Sequence, residues 1–530
     1  MGGIEKPNLV VVFSDELDPS HLGCYGGKNM KTPNLDSLAQ QGVRFANAYV
    51  AAPMCTPSRY SLLTGKYPGR CRSHGFLQAY PTTDPYCVAW NTHIIPSEQT
   101  IARMLSSHGY VTGISGKWHV GGVNAEQLPK FEGSEDPRDK DVNERLSRHQ
   151  KQLAEEVKKA GGFDYAASLL PGNFDSFPVR KLRYHNIEWI TEGALKFLEQ
   201  QATQKQPFFL YVTPTTIHGP PHHASLDVDV RYTPEGKIDE LGKYQPARKA
   251  KKRELEGVGS PEKHLKAGMW FLDEQVGAVL KLLEELGLDE NTIVFYMADH
   301  NVEPGKATCY EKGNRIPMIV KWPGKIREGT VIDALAQTVD LLPTILEAAH
   351  IEKPRNMNVD GVSLVPLISG KARKVRDYAY FESGYARGLR DGRFKYVAFR
   401  YPKSTVEKME QGIIDYAPNY LNSQRQAHSN IAIEHYPHYF DPDQLYDLEK
   451  DPYEQHNIAD NPEYRKAMQR MKNEMQRILA TFEHPFNLED KAFMQTEKYR
   501  KLAQKTRSTG TDWIEWLERD HGKIAWPPKE

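Results

Sequence analysis

The run Asn8-Leu9-Val10-Val11-Val12-Phe13, followed at once by Ser14-Asp15-Glu16, decides the fold. A short apolar run of this kind reads as a buried strand. Two carboxylates just past its carboxyl end stand where open α/β sheets place their sites, and paired carboxylates there suit a hard divalent cation. The pattern returns three times. Tyr110-Val111-Thr112-Gly113-Ile114 leads to Gly116-Lys117-Trp118-His119, Phe208-Phe209-Leu210-Tyr211-Val212 leads to His218-Gly219-Pro220, and Thr292-Ile293-Val294-Phe295-Tyr296-Met297 leads to Asp299-His300. Helix signals lie between the strands. Thr32-Pro33 opens a helix that runs through Leu35, Leu38 and Ala39 to Gly42, another runs through Ile101 and Leu105 to Gly109, and a third lies near residues 187–198. Ser260-Pro261 starts a long amphipathic helix with Leu265, Met269, Leu272, Val276, Val279 and Leu283 at spacings of three and four, ended by Gly287. An α/β fold follows, with Asp15, Lys117 and His119, His218, and Asp299 and His300 delivered to one edge of one sheet.

Between the first two strands stands Cys55-Thr56-Pro57-Ser58-Arg59-Tyr60-Ser61-Leu62-Leu63-Thr64-Gly65. Thr56 is expected to cap a helix, Pro57 suits its first turn and Gly65 can end it, so Cys55 falls at a helix N-terminus. Free backbone N–H groups and the positive end of the helix dipole make that place an anion site, and Arg59 adds a fixed positive charge. A thiolate there is a nucleophile in its own right. Lys117 and His119, two apart on an extended segment, face one side and can hold an anion and handle a proton.

Composition narrows the function. The chain has 530 residues, too many for one ordinary core. Lys+Arg and Asp+Glu both number 69, so nothing electrostatic points to nucleic acid or an anionic membrane. Hydrophobic residues make up 39% and no run approaches the length of a membrane span. Cys24, Cys55, Cys71, Cys87 and Cys309 form no CxxC pair, which excludes a disulfide scaffold and a zinc module. The start of the chain carries no export signal before its first strand, so the expectation is a periplasmic or secreted protein if a signal has been trimmed, and a cytoplasmic one otherwise.

Cys-x-Pro-Ser-Arg followed by Leu-Thr-Gly resembles the signature of the type I sulfatases of the alkaline phosphatase superfamily. The resemblance extends to Thr32-Pro33-Asn34-Leu35-Asp36 through Phe45, Gly116-Lys117-Trp118-His119, His218-Gly219-Pro220, Asp299-His300, Lys306 to Glu311, Arg315-Ile316-Pro317, Trp322-Pro323-Gly324 and the block Leu445 to Asn457. It implies a large mixed, mainly parallel sheet flanked by helices, within residues 1–370. It also implies a smaller C-terminal α+β domain on an antiparallel sheet, residues 371–530, completing the substrate pocket. Polar stretches at about 124–183 and 222–260 read as insertions, and the basic run from Arg248 to Arg253 as a solvated face.

What the resemblance implies for chemistry is specific. Cys55 becomes formylglycine through a formylglycine-generating maturation enzyme, and its hydrate attacks sulfur with one hydroxyl and expels sulfate through the second. Asp15, Glu16, Asp299 and His300, with residue 55, hold a metal. Glu16 departs from the usual second Asp or amide, and either ligates through its longer arm or only supports Asp15. Mostly carboxylate oxygens favour Ca²⁺, while one imidazole leaves room for Mg²⁺ or Mn²⁺. Lys117 and Lys306 meet the sulfate, Arg59 joins the catalytic set with its positive charge, His119 contacts the formylglycine hydroxyl and His218 faces the scissile oxygen as general acid. The segment between His300 and Lys306 is short, which opens the pocket or shifts Lys306. Substrates implied are sulfate esters of carbohydrates, with His435-Tyr436-Pro437-His438-Tyr439 as a candidate sugar-lining cluster. The alternatives are a phosphonate or phosphate ester hydrolase of the same superfamily, and a silent protein that binds sulfated glycans.

Overall fold

The protein is described by a computed structural model for residues 6–302, 304–411 and 435–491, and for residues 413, 432 and 504 singly. A nine-stranded sheet forms its centre. The strands are β1 Asn8–Ser14, β2 Val43–Tyr49, β3 Val111–Lys117, β4 Tyr165–Leu170, β5 Phe208–Thr213, β6 Thr292–Ala298, β7 Arg315–Ile316, β8 Met318–Lys321 and β9 Thr330–Gln337. Their spatial order is β9-β2-β8-β6-β1-β5-β3-β4, with β7 also paired to β2. β6, β1, β5, β3 and β4 are successive parallel neighbours, β9 is parallel to β2, and β8 runs antiparallel between β2 and β6. Every residue of β1 is buried, as a central parallel strand covered on both faces must be.

Helices α1 Pro33–Gln40, α2 Cys55–Thr64, α3 Ile101–Ser106, α4 Lys140–Gly161, α5 Ile187–Ala202, α6 Ser260–Glu285 and α7 Leu341–Ala348 flank the sheet. α6 packs on α1 and α5, while α2, α3 and α7 pack together. The apolar stripe read from the sequence of α6 is its buried face: Met269, Leu272, Val276, Val279 and Leu283 are buried. Asp273 on the same helix caps α1, its carboxylate accepting from the backbone N–H groups of Asn34 at 3.1 Å and Leu35 at 2.9 Å. Thr32 stands at the N-cap of α1 without a side-chain cap bond; its hydroxyl donates to the Asp36 carboxylate instead.

The stretch expected as a first insertion is part of the layered fold. α4 buries Val142, Leu146, Leu153 and Val157, and β4 behind it is the edge strand of the main sheet. A charged sequence hid this, because only one face of α4 is apolar. In the second stretch Arg248 is buried against Glu188, while its neighbours Lys249, Lys252 and Arg253 are exposed.

A second sheet is antiparallel throughout: β10 Ala379–Ser383, β11 Ala386–Arg390, β12 Phe394–Phe399 and β13 Asp443–Asp447, in that order. Helix α8 Arg465–Leu479 lays Met471, Met475 and Leu479 against Tyr380, Leu389 and Tyr396. The two sheets share one core, since Phe381, Val397 and Tyr446 belong to the same buried cluster as Leu9 to Phe13. Tyr436 and Tyr439 are buried too, with the Tyr436 ring stacked on Tyr310 at 3.9 Å. Those two rings are therefore packed in the interior and do not line a sugar subsite; residues 414–431 of the same segment lie outside the described residues.

Candidate active site

Four adjacent parallel strands, β6, β1, β5 and β3, bring their carboxyl ends to one place. Asp15 follows β1, Asp299 and His300 follow β6, Lys117 is the last residue of β3 and His218 lies five residues beyond β5. Cys55 is the first residue of α2, so the helix begins earlier than a Thr56 cap would place it. Met54 is the N-cap and makes no side-chain cap bond. Gly65 ends the helix in the left-handed region, φ +68°.

Asp15, Cys55, Asp299 and His300 each offer one ligand atom, and all four atoms lie within 4.8 Å of one another. All four residues are buried. The Cys55 sulfur is 3.2 Å from His300 Nε2 and 3.8 Å from Asp15 Oδ1. His300 Nδ1 faces the Asn301 carbonyl at 2.8 Å, so that nitrogen carries a proton, and Nε2 faces the cluster. Two buried carboxylates and an imidazole so oriented fit a divalent cation.

Two cations press on the same carboxylates. Arg59, wholly buried, donates through Nε and Nη2 to Asp299 Oδ2 at 3.1 and 2.8 Å, and Lys117 is ion-paired with Asp15. Burial and the Cys55 sulfur push Asp15 up, but Lys117, His218 and Arg59 hold it down to about 2. Burial and the Asp15 charge push Asp299 up. Burial pushes the Cys55 thiol up as well; the Lys117 ammonium and His300 outweigh it and hold the thiol well below its ordinary value. Burial lowers His300, yet the Asp299 carboxylate and Cys55 raise it to about 9.

His119 also acts on Cys55, by a route the alternation argument missed. β3 shifts register against β4 between Ser115 and Lys117, and Gly116 takes φ +108° where a Cβ would lie 2.2 Å from the Thr213 carbonyl oxygen. His119 itself has φ +50°. The bulge and this left-handed turn, not an extended strand, bring Lys117 and His119 to the same centre. Burial and Lys117 lower His119, so it is neutral beside the sulfur.

Glu16 is not among the four clustered ligand groups. At φ +58° its side chain turns away to Lys306, with Nζ at 3.2 Å, and to His218, with Nε2 at 3.8 Å. Lys306 thus meets Glu16 and acts on His300 through its charge. Behind it Glu311 accepts from Lys395 Nζ and Tyr49 hydroxyl, both at 2.9 Å, which ties the second sheet to the site. Sequence reading missed Asp175, whose Oδ2 lies 3.8 Å from His218 Nδ1, because it falls in the stretch read as an insertion.

Asp18 and Lys312 form a buried pair nearby. Burial pushes Asp18 up, but Lys312 and His21 hold it well below the ordinary carboxylate value of 3.8. A depressed folded pKa contributes stability that is present above the unfolded value and lost as pH falls through the folded one. Lys312→Met strands a buried carboxylate and is expected to cost about 3–5 kcal/mol at neutral pH. Urea unfolding of both proteins checks this, and the gap between them should narrow as pH falls below about 4.

Comparison with known proteins agrees with this architecture. Residues 7–351 match the family described as Sulfatase, and residues 305–411 match that described as N-sulphoglucosamine sulphohydrolase, C-terminal. An ulvan-active sulfatase of Formosa agariphila is 28% identical over 488 residues, covering 89% of this chain and 79% of that protein. Human arylsulfatase A is 30% identical over 482 residues, covering 85% and 83%. A solved structure reported under the metabolism of multiple glycosaminoglycans by Bacteroides thetaiotaomicron matches with a TM-score of 0.59 and 21% identity, covering 89% of this chain and 99% of that one. Among the described residues no helix is long and apolar enough to cross a membrane.

Proposed function

The chain belongs to the sulfatase family and is a sulfuric ester hydrolase, and from that premise we propose that it removes O-sulfate groups from a carbohydrate, using a formylglycine made from Cys55 by a maturation enzyme. The observation that carries this reading is the Cys55 sulfur, buried at a helix N-terminus within 4 Å of His300 and Asp15 and flanked by Lys117 and Arg59. The ulvan-active relative and the C-terminal match to an N-sulphoglucosamine sulphohydrolase support a sugar substrate. A polymer of this kind suits action in the periplasm or outside the cell.

Asp15, Asp299 and His300 would hold a divalent cation, Ca²⁺ first and Mg²⁺ or Mn²⁺ as alternatives; such an ion polarises sulfate and nucleophile. As the aldehyde hydrate, residue 55 supplies one hydroxyl for attack and a second to expel sulfate. Arg59 and Lys117 balance the carboxylates and leave the site receptive to an anion. His119, neutral beside residue 55, takes a proton there. His218, on the open side of the site, gives a proton to the leaving oxygen, and Glu16 holds Lys306 and His218 toward the same substrate. The part from residue 371 onward completes the pocket wall.

Peptide mass spectrometry of the Cys55 fragment, from protein made with a formylglycine-generating system, tests the nucleophile: an aldehyde supports it and an unmodified thiol overturns it. Rates on 4-nitrophenyl sulfate and an aryl phosphonate then separate a sulfatase from a phosphonate hydrolase. Binding of a sulfated glycan with neither activity would mark a silent binding protein.

A further inference from the structure

We propose that Asp175 is a positioning residue for His218, fixing the ring so that Nε2 faces the leaving oxygen; this rests on the reading of His218 as general acid. The ring of His218 has a carboxylate at each nitrogen. Asp175 Oδ2 is 3.8 Å from Nδ1, which also faces the Gly219 carbonyl oxygen at 3.4 Å, and Glu16 Oε2 is 3.8 Å from Nε2, so each carboxylate acts on the ring through its charge. An imidazole with an acceptor at both nitrogens can carry two N–H groups at once, which is the form that donates a proton. The His218 side chain is 19% exposed and that of Asp175 is 45% exposed, so both stand at the open rim of a buried site.

The two residues are held from one point. Asp175 lies in a single turn, Phe174–Ser176, whose Phe174 is wholly buried with Val142, Leu146 and Leu170 and whose Ser176 hydroxyl donates to the Asn173 carbonyl at 2.8 Å. The Phe174 ring packs edge-on against His185 at 5.7 Å. His185 Nε2 in turn faces the carbonyl of Pro220, two residues past His218, at 2.9 Å, and its Nδ1 faces the Thr215 hydroxyl at 3.3 Å. A Cβ on Gly219 would lie 3.5 Å from Asp175 Oδ2, so the carboxylate rests on the backbone beside His218. One buried imidazole thus sets the separation of the acid and its partner. This is the pattern of a base or acid oriented by a third group.

In the step concerned, the bond between sulfur and the nucleophile oxygen at residue 55 forms as the bond between sulfur and the leaving oxygen breaks. Both electrons of the broken bond pass to the leaving oxygen and the Nε2 proton moves to it, while the proton of the attacking hydroxyl passes to His119; the His218 ring later regains a proton from solvent. Help of this kind matters little for a leaving group that is already a stable anion and much for a basic one.

The test is a series of substituted phenyl sulfates, from 4-nitrophenyl to phenyl to 4-methoxyphenyl, with wild type, Asp175→Asn and Asp175→Glu. Asp175→Asn is expected to leave kcat/KM on 4-nitrophenyl sulfate within about threefold, and to lower it on phenyl and 4-methoxyphenyl sulfate by about tenfold or more. The plot of log kcat/KM against leaving-group pKa therefore steepens, and Asp175→Glu recovers part of the loss. An unchanged slope, or an equal loss across the series confined to KM, overturns the proposal. A wild type that hydrolyses neither the series nor a sulfated sugar overturns both this and the reading on which it rests.

Discussion

Cys55→Ala is expected to lower kcat for sulfate-ester hydrolysis by on the order of 10⁴-fold or more, the scale on which loss of a nucleophile is felt, while the protein stays folded. The side chain is buried and small, and its loss leaves Asp15, Asp299 and His300 to hold their own contacts. Circular dichroism and thermal unfolding should therefore match the wild type. Cys55→Ser separates the chemistry further: a serine has a hydroxyl to attack sulfur but no second hydroxyl to expel sulfate. It is expected to release at most one equivalent of alcohol per enzyme. Multiple turnovers by either variant would remove residue 55 from the centre of the reaction.

Asp299→Ala should be the most damaging change to stability and activity together. Asp299 is the nearest partner of a wholly buried arginine, and it also accepts from the Glu16 backbone N–H at 3.1 Å. Removing it leaves the Arg59 charge buried with only Asp15, at 3.8 Å, as a carboxylate partner. A cost of about 3–5 kcal/mol is expected in denaturant unfolding, and the bound divalent ion should be lost when metal content is measured. Asp299→Asn keeps the shape and an acceptor for Arg59, so it should recover much of the stability while activity stays lower by about 10² to 10³. Wild-type metal content and rate in the alanine variant would contradict the assignment of Asp299 to the centre.

These expectations rest unevenly on the chain and its folding. The strands β1, β5 and β6 are unbroken apolar runs, and the residues just past their ends were legible because a motif of a few neighbours travels with its strand. Cys55 at the start of α2 and the Gly65 stop were legible for the same reason. Glu16 was not: adjacency to Asp15 suggests a shared ion, yet its left-handed backbone turns it to Lys306, 290 residues away. Asp273 carries no role that the local sequence of α6 reveals, and it is the cap of a helix 239 residues earlier.

The sequence by itself determined the α/β class, the main strands, and the identity of Asp15, Cys55, Arg59, Lys117, Asp299 and His300 as one chemical set. Periodicity, caps and short motifs are local, and local spacing carries them. Only the tertiary structure decided which side chains share a charge: Arg59 with Asp299, Lys117 with Asp15, Lys306 with Glu16, and His218 with both Glu16 and Asp175. It also decided that α4 and β4 complete the sheet and that Tyr436 is core. These depend on contacts across 40 to 290 residues, where strand order, a bulge at Gly116 and burial set geometry that no local period records.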